Sequence, residues 1–182
     1  MIVARDNKWV LYTPPKTGST SLHKVLVQDP ICATSTRGQH SAVVIHDAIA
    51  MSTTRHPVTR ALSLWKHLIY QFRKGNDILQ FGHEPSFNEY VAGLLTKEYG
   101  DFFGWPVCSW LSCVKVDYFI KLERFHVELY KNFGIQHMSK ENNVDMVLVE
   151  PISAESLEIL REWGKEDLIM CEYEFDDYKL HM

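Results

Sequence analysis

No apolar run in the sequence approaches the roughly 20 residues that a membrane-crossing helix needs. The opening Met1–Lys8 lacks the extended apolar core of a secretory leader. The expectation from these two absences is a soluble, cytoplasmic chain with no membrane partner. Cysteine is scarce, four in 182 residues, and only Cys108 and Cys113 stand close together, at a spacing unlike a zinc knuckle. Reduced thiols are expected in a reducing compartment, with a local disulfide as the alternative in an exported protein. A basic excess is also missing. Nineteen Lys and Arg against 23 Asp and Glu leave a net charge of −4, which argues against a nucleic-acid partner. Any anion site must therefore come from local placement of a few cations. The nine histidines show no convincing metal-ligand spacing, so no metal is expected. Internal repeats, linkers and low-complexity segments are absent too, which suggests one domain over 1–182.

Against that background one stretch stands out, Tyr12-Thr13-Pro14-Pro15-Lys16-Thr17-Gly18-Ser19-Thr20-Ser21-Leu22. The apolar run Trp9–Tyr12 precedes it and reads with its flanks as a strand over 8–13. A helical pattern with Leu22, Val25 and Leu26 on one face follows, giving a helix over 19–28. A strand, a tight loop and a helix in that order form an anion-binding turn. Gly18 lets backbone approach closely, Ser19, Thr20 and Ser21 offer hydroxyls, the helix start offers N–H groups, and Lys16 adds a full charge. The lysine stands two residues before the glycine, whereas the nucleotide-hydrolase loop G-x-x-x-x-G-K-[ST] has it after the glycine. A Ser/Thr-capped helix behind a Pro-rich turn is the ordinary alternative.

A second stretch, Thr54-Arg55-His56-Pro57-Val58-Thr59-Arg60-Ala61-Leu62-Ser63-Leu64-Trp65, follows a buried strand read over 48–54. Pro57 suits the first turn of a helix. Arg55 then sits at the strand's C-terminal end and Ser63 about two turns into the helix. A guanidinium can grip a phosphate through two N–H groups, and a serine hydroxyl can add a third contact. A surface arginine and a solvated serine are the ordinary alternatives.

The first stretch, P-K-T-G-S-T-S, resembles the 5′-phosphosulfate loop of sulfotransferases that use 3′-phosphoadenosine 5′-phosphosulfate. The second, R-x-P-x-x-R-x-x-S-x-W, resembles their 3′-phosphate-binding motif, and the two stand in the family's order. Pro85–Val91, with a Ser86/Glu89 capping box, and the run from Trp105 to Glu123 resemble the carbohydrate sulfotransferases of the Golgi type, heparan 2-O- and chondroitin-like. The tail 167–175 resembles that family's final helix. Residues 1–182 contain no stretch that reads as their membrane anchor and stem, nor the R-K-G-x-x-G-x-W nucleotide clamp of the cytosolic enzymes. The remaining elements read as a strand over 31–36, a helix from Glu123 to Phe133, and a Ser153-capped helix that stops at Gly164.

The resemblance implies an α/β fold, a three-layer sandwich around a central parallel sheet, related to the phosphate-loop hydrolases. It implies transfer of a sulfuryl group from the phosphosulfate donor to an acceptor hydroxyl, on a glycan or small molecule, without metal. Pro15, Lys16, Thr17, Gly18, Ser19, Thr20 and Ser21 would hold the 5′ end of the donor, and Arg55 and Ser63 its 3′-phosphate. Lys16 would also act in catalysis, at the bridging oxygen. His40, in Arg37-Gly38-Gln39-His40-Ser41, resembles the family's catalytic base; His46 and Glu123 are alternatives, and His56, inside the second motif, reads as structural or donor-adjacent rather than as a base. Two other function classes compete: a phosphate-loop kinase or nucleotide hydrolase, and a nucleotide-binding module without turnover. Arg55 after the strand, where a hydrolase places a magnesium-binding Asp, disfavours the first of these.

Overall fold

Ile2-Val3-Ala4 is a three-residue apolar run just ahead of Asp6-Asn7, and it forms strand β1 (Ile2–Ala4). Asn7 takes a left-handed φ of 56° and donates its N–H to the Ala4 carbonyl, while the Asp6 side chain accepts from Lys8 N–H. Asn and Asp favour such turns because they tolerate φ > 0 or bond to nearby backbone. The turn returns the chain as β2 (Trp9–Tyr12), antiparallel to β1. The computed structural model describes residues 1–28, 32–34, 44–96, 99, 104–133 and 150–180. His40 lies outside them.

Among the described residues the sheet has five strands in the order β3-β1-β2-β4-β5, with β3 at Cys32–Thr34, β4 at Ile49–Thr54 and β5 at Tyr118–Lys121. The fold is α/β, but the sheet is mixed, which corrects the expected parallel sheet. β1 runs antiparallel to both β2 and β3, whereas β2, β4 and β5 pair in parallel. The short turn after β1 is the reason, since parallel neighbours need a longer crossover.

By its internal contacts the chain divides into two compact units, Met1–Arg55 with Val107–Glu141 and His56–Pro106 with Asn142–Met182. In the first, the register puts Ile2, Leu11, Met51 and Thr53 on one sheet face. Ile120, opposite Thr53, shares that face. Helix α1 (Ser19–Gln28) brings Leu22 and Leu26 to the same cluster. Helix α5 (Phe125–Phe133) adds Phe125 and Leu129. Full burial of a leucine contributes about 1.5–3 kcal/mol, so Leu22 and Leu26 hold α1, and the loop before it, against the sheet. Between β5 and α5 the chain makes a 3₁₀ turn at Leu122–Arg124, so the α-helix starts two residues after the expected Glu123. The short helix α4 (Val107–Trp110) also belongs to this unit. Asp117 is the strut at the start of β5: its carboxylate accepts from Ala50 N–H at 2.8 Å, and its own N–H donates to the Ala50 carbonyl.

The second unit is helical. Helix α2 (Pro57–Arg73) buries Leu64, Trp65, Leu68 and Ile69, while Leu62 is only partly buried. Helix α3 (Phe87–Ala92) carries the expected capping box, in which Ser86 accepts from Glu89 N–H and the Glu89 carboxylate from Ser86 N–H. Helix α6 (Ala154–Trp163) starts at its Ser153 cap and ends at Gly164, where a Cβ would collide with the Pro57 ring. The tail is helix α7 (Lys165–Met170) and a 3₁₀ segment at Phe175–Leu180, rather than one helix over 167–175. Glu172, with φ of 53°, breaks the run, and Tyr173 and Phe175 close around His56 instead. Among the described residues, Cys108, Cys113 and Cys171 are not joined in a disulfide. Among the described residues no helix is long and apolar enough to cross a membrane.

Candidate functional site

The loop between β2 and α1 is bent twice. Pro15 fixes its own φ, and Thr17 N–H closes a turn onto the Pro14 carbonyl at 3.3 Å. Lys16, at the third position of that turn, has φ of +65°, a region that non-glycine residues rarely occupy and that costs on the order of 1–3 kcal/mol. Gly18 follows with φ of +87°, and a Cβ there would stand 2.8 Å from the Leu122 side chain. Leu22 N–H donates to the Gly18 carbonyl at 3.1 Å, so the helix ladder begins there. The amides of Ser19, Thr20 and Ser21 lie ahead of that first bond and face out of the helix end. No acidic residue occupies the first turn of α1, which leaves the positive end of its dipole uncompensated by the helix itself.

Thr17 is fully buried and works inward. Its hydroxyl donates to the Pro14 carbonyl at 2.7 Å. With that single hydrogen committed, the Thr53 hydroxyl donates to Thr17 Oγ1 at 2.6 Å. The loop is thereby bonded to β4, the neighbouring parallel strand, two residues before Arg55. Ser19 is buried, Ser21 half-buried and Thr20 exposed.

Lys16 and Arg55 face each other electrostatically. Burial lowers the Lys16 pKa from the ordinary lysine value, and the nearby Arg55 charge lowers it further. Lys16 thus follows β2 and Arg55 follows β4, two adjacent parallel strands, with the charge of Arg55 felt at Lys16 ahead of the N-terminus of α1. The topology adds to this. From β2 the chain goes through α1 to β3, beyond β1, whereas from β4 it goes on to β5 at the other edge. β2 and β4 therefore flank the point where the connections diverge, and ligands of open α/β sheets bind outside the carboxyl ends of the strands at such points.

The second motif divides between the two units. Arg55, half-buried, belongs to the first, and Ser63, seventh in α2 and half-buried, to the second. Between them stand residues with internal tasks. His56 caps α2: Nδ1 accepts from Val58 N–H at 3.2 Å, so Nε2 carries the hydrogen and donates to the Glu174 carbonyl at 3.1 Å. Both nitrogens are engaged, in keeping with the structural reading of this histidine. Arg60 is fully buried, donates to the Trp105 carbonyl at 2.8 Å and stacks on the Trp163 ring at 5.5 Å. Trp65 Nε1–H donates to the Pro85 carbonyl at 2.8 Å. Of the alternative bases, His46 is exposed and Glu123 half-buried in the 3₁₀ turn.

Thr53 was not singled out by sequence reasoning. A signal for it exists in the run Ser52-Thr53-Thr54, three hydroxyl residues in a buried strand whose side chains need hydrogen-bond partners. Among the described residues no cluster of three His, Cys, Asp or Glu side chains could hold a metal ion. No family model, curated protein or solved structure matches the chain significantly.

Proposed function

We propose that the chain is a sulfotransferase of the phosphate-loop type, which moves a sulfuryl group from 3′-phosphoadenosine 5′-phosphosulfate to an acceptor hydroxyl. The observation that carries this reading is that the turn bearing Lys16 leads into α1 and is bonded through Thr17 to β4, the strand that runs into Arg55. Two like charges held together are unfavourable in the free protein, and a dianionic ligand turns each into a favourable contact. The lysine-before-glycine order and the two motifs in the family's sequence give that anion its identity. The finer fold assignment, to the sulfotransferase branch of phosphate-loop proteins, belongs to the same proposal.

In this reading the amides at Ser19–Ser21 hold the oxygens of the 5′-phosphate, and Gly18 keeps the approach clear. Lys16 lies at the oxygen that bridges phosphorus and sulfur. Arg55, with Ser63 by resemblance, takes the 3′-phosphate. The acceptor oxygen forms the new S–O bond in line with the one that breaks, and the electron pair of the broken bond stays on the phosphate oxygen. Lys16 stabilises that growing charge, so its contribution is larger in the transition state than in the bound donor. The acceptor proton goes to a base, for which His40 is proposed from the resemblance and His46 and Glu123 are the alternatives. A glycan acceptor is favoured by resemblance to the carbohydrate enzymes.

The test is calorimetry without metal, comparing 3′-phosphoadenosine 5′-phosphate with ADP, followed by a sulfate-transfer screen over glycan, phenol and peptide acceptors read by mass. Preference for the 3′-phosphorylated nucleotide with transfer to one acceptor class supports the proposal. Equal affinity for ADP, or binding that requires magnesium, favours the kinase or hydrolase reading. Selective binding without transfer to any acceptor favours a module without turnover.

A further inference from the structure

The loop that carries Lys16 and the strand that carries Arg55 are joined by one buried pair of hydroxyls. Thr17 Oγ1 donates to the Pro14 carbonyl at 2.7 Å, and Thr53 donates to Thr17 Oγ1 at 2.6 Å, with both side chains shielded from water. We propose that Thr53 is a positioning residue: through Thr17 it fixes the Pro14–Thr17 turn to β4 and so sets Lys16 beside Arg55. This deepens the anion-site reading and rests on it for the ligand, but the positioning itself is a property of the free protein.

The argument is one of constraint. Lys16 occupies a backbone region that it would leave if the turn were loose, since the left-handed conformation is unfavourable for a side chain with a Cβ. Something must hold the turn closed. The Thr17 amide bond to Pro14, at 3.3 Å, is long. The two hydroxyl bonds are short and buried, where an unmade bond costs most. β4 is also the strand from which Arg55 leaves, so the same strand sets the position of both cations. The Thr53 hydroxyl competes only weakly for another acceptor, the Tyr12 carbonyl at 3.5 Å.

The test compares wild type, Thr53→Val, which keeps the shape and loses the hydroxyl, and Thr53→Ser, which restores it. The first readout is the titration of the Lys16 ammonium by NMR of labelled lysine in the free protein, with Arg55 the charge that faces it. Wild type and Thr53→Ser should titrate together, below the ordinary lysine range, and Thr53→Val should move back toward that range. The second readout is affinity for 3′-phosphoadenosine 5′-phosphate. Thr53→Val should lose about threefold to tenfold, the weight of one hydrogen bond that orders a binding group, and Thr53→Ser should keep wild-type affinity. If Thr53→Val does not fold, Thr53→Ala removes the same hydroxyl, leaves the Thr17 bond to Pro14 in place and is read in the same way. If the wild type does not bind the nucleotide, the function proposal fails while the Lys16 titration still decides the positioning. A folded Thr53→Val with an unchanged Lys16 titration, or a Thr53→Ser that behaves like Thr53→Val, overturns the inference.

Discussion

Arg55 and Arg60 stand five residues apart in one motif, and the structure gives them opposite surroundings. Arg55 follows β4, is half-buried and presses its charge on Lys16. Arg60 is fully buried in the helical unit, bonded to the Trp105 carbonyl and stacked on Trp163. The spacing R-x-P-x-x-R does not distinguish them. What does is the setting: Arg60 is held in the interior by a backbone carbonyl and an aromatic face, whereas the charge of Arg55 acts on Lys16. The contrast extends to the two units. In the first, the charge of Arg55 acts on a partly buried Lys16 and lowers its pKa. In the second, His56, Trp65 and Asn88 spend their polar atoms on internal bonds, Asn88 bridging to Ser153 and Ser156.

The largest effect should come from Arg60. Arg60→Ala removes a buried cation, leaves the Trp105 carbonyl without that donor and opens a cavity beneath Trp163. The expected cost is about 3–5 kcal/mol, read as a lower midpoint in denaturant unfolding. A loss under about 1 kcal/mol would show that Arg60 is not the structural member of the pair. Arg55→Ala should do the reverse. It should weaken 3′-phosphoadenosine 5′-phosphate binding by roughly 1.5–3 kcal/mol, the weight of a hydrogen bond to a charged group, and cost less in unfolding than Arg60→Ala. Calorimetry and thermal unfolding on the same samples check both halves. If Arg55→Ala destabilises as much as Arg60→Ala, the division of labour is wrong.

Gly18→Ala comes next. The new methyl would need a positive φ and would meet Leu122. The expected loss is about 1–3 kcal/mol in unfolding. Leu122→Ala in the same chain should recover the part due to the collision and leave the backbone part. If Gly18→Ala alone is neutral, the loop can move without cost, and the tight geometry around Lys16 is not enforced.

Much of this was legible in the sequence, for identifiable reasons. Apolar periodicity located α1 at 19–28, since Leu22 and Leu26 face the sheet, and Pro57, Ser86 and Ser153 marked helix starts through their capping chemistry. The loop between β2 and α1 was legible because an apolar run, a turn with Pro and Gly and a helical period follow one another in the sequence. β1 was missed because three residues are too short for a period-2 signal, although Asp6-Asn7 announced its turn, and with it went the antiparallel pairing. Thr17 stands among the residues expected to hold the donor, and its hydroxyl bonds inward to Thr53, a partner 36 residues away that no local pattern specifies. The same limit applies to Arg60, whose partners Trp105 and Trp163 are brought to it by folding alone.

The smallest expected effect tests the electrostatics of the pair directly. Lys16 has a folded pKa below its unfolded value, because burial disfavours its charge and Arg55 repels it. Between the lowered value and the ordinary 10.5, the unfolded chain binds more protons at this site than the folded one. Stability therefore rises with pH across that window. Below the window Lys16 is charged in both states and its full penalty is present; above it, both states are neutral and the penalty is gone. Relative to Lys16→Met, which keeps the length and drops the charge, the wild type should be less stable at neutral pH. It should close the gap as pH climbs toward 10.5. Unfolding midpoints of both proteins from pH 7 to 10.5 measure the difference, and titrations shared by the two chains cancel. With Arg55→Ala as background the climb should start at a higher pH, since one of the two causes of the shift is gone. Added 3′-phosphoadenosine 5′-phosphate should raise the folded pKa of Lys16 and delay the climb further, because the anion favours the charged lysine. A difference between wild type and Lys16→Met that stays flat with pH would mean that Lys16 is well solvated and not held against Arg55.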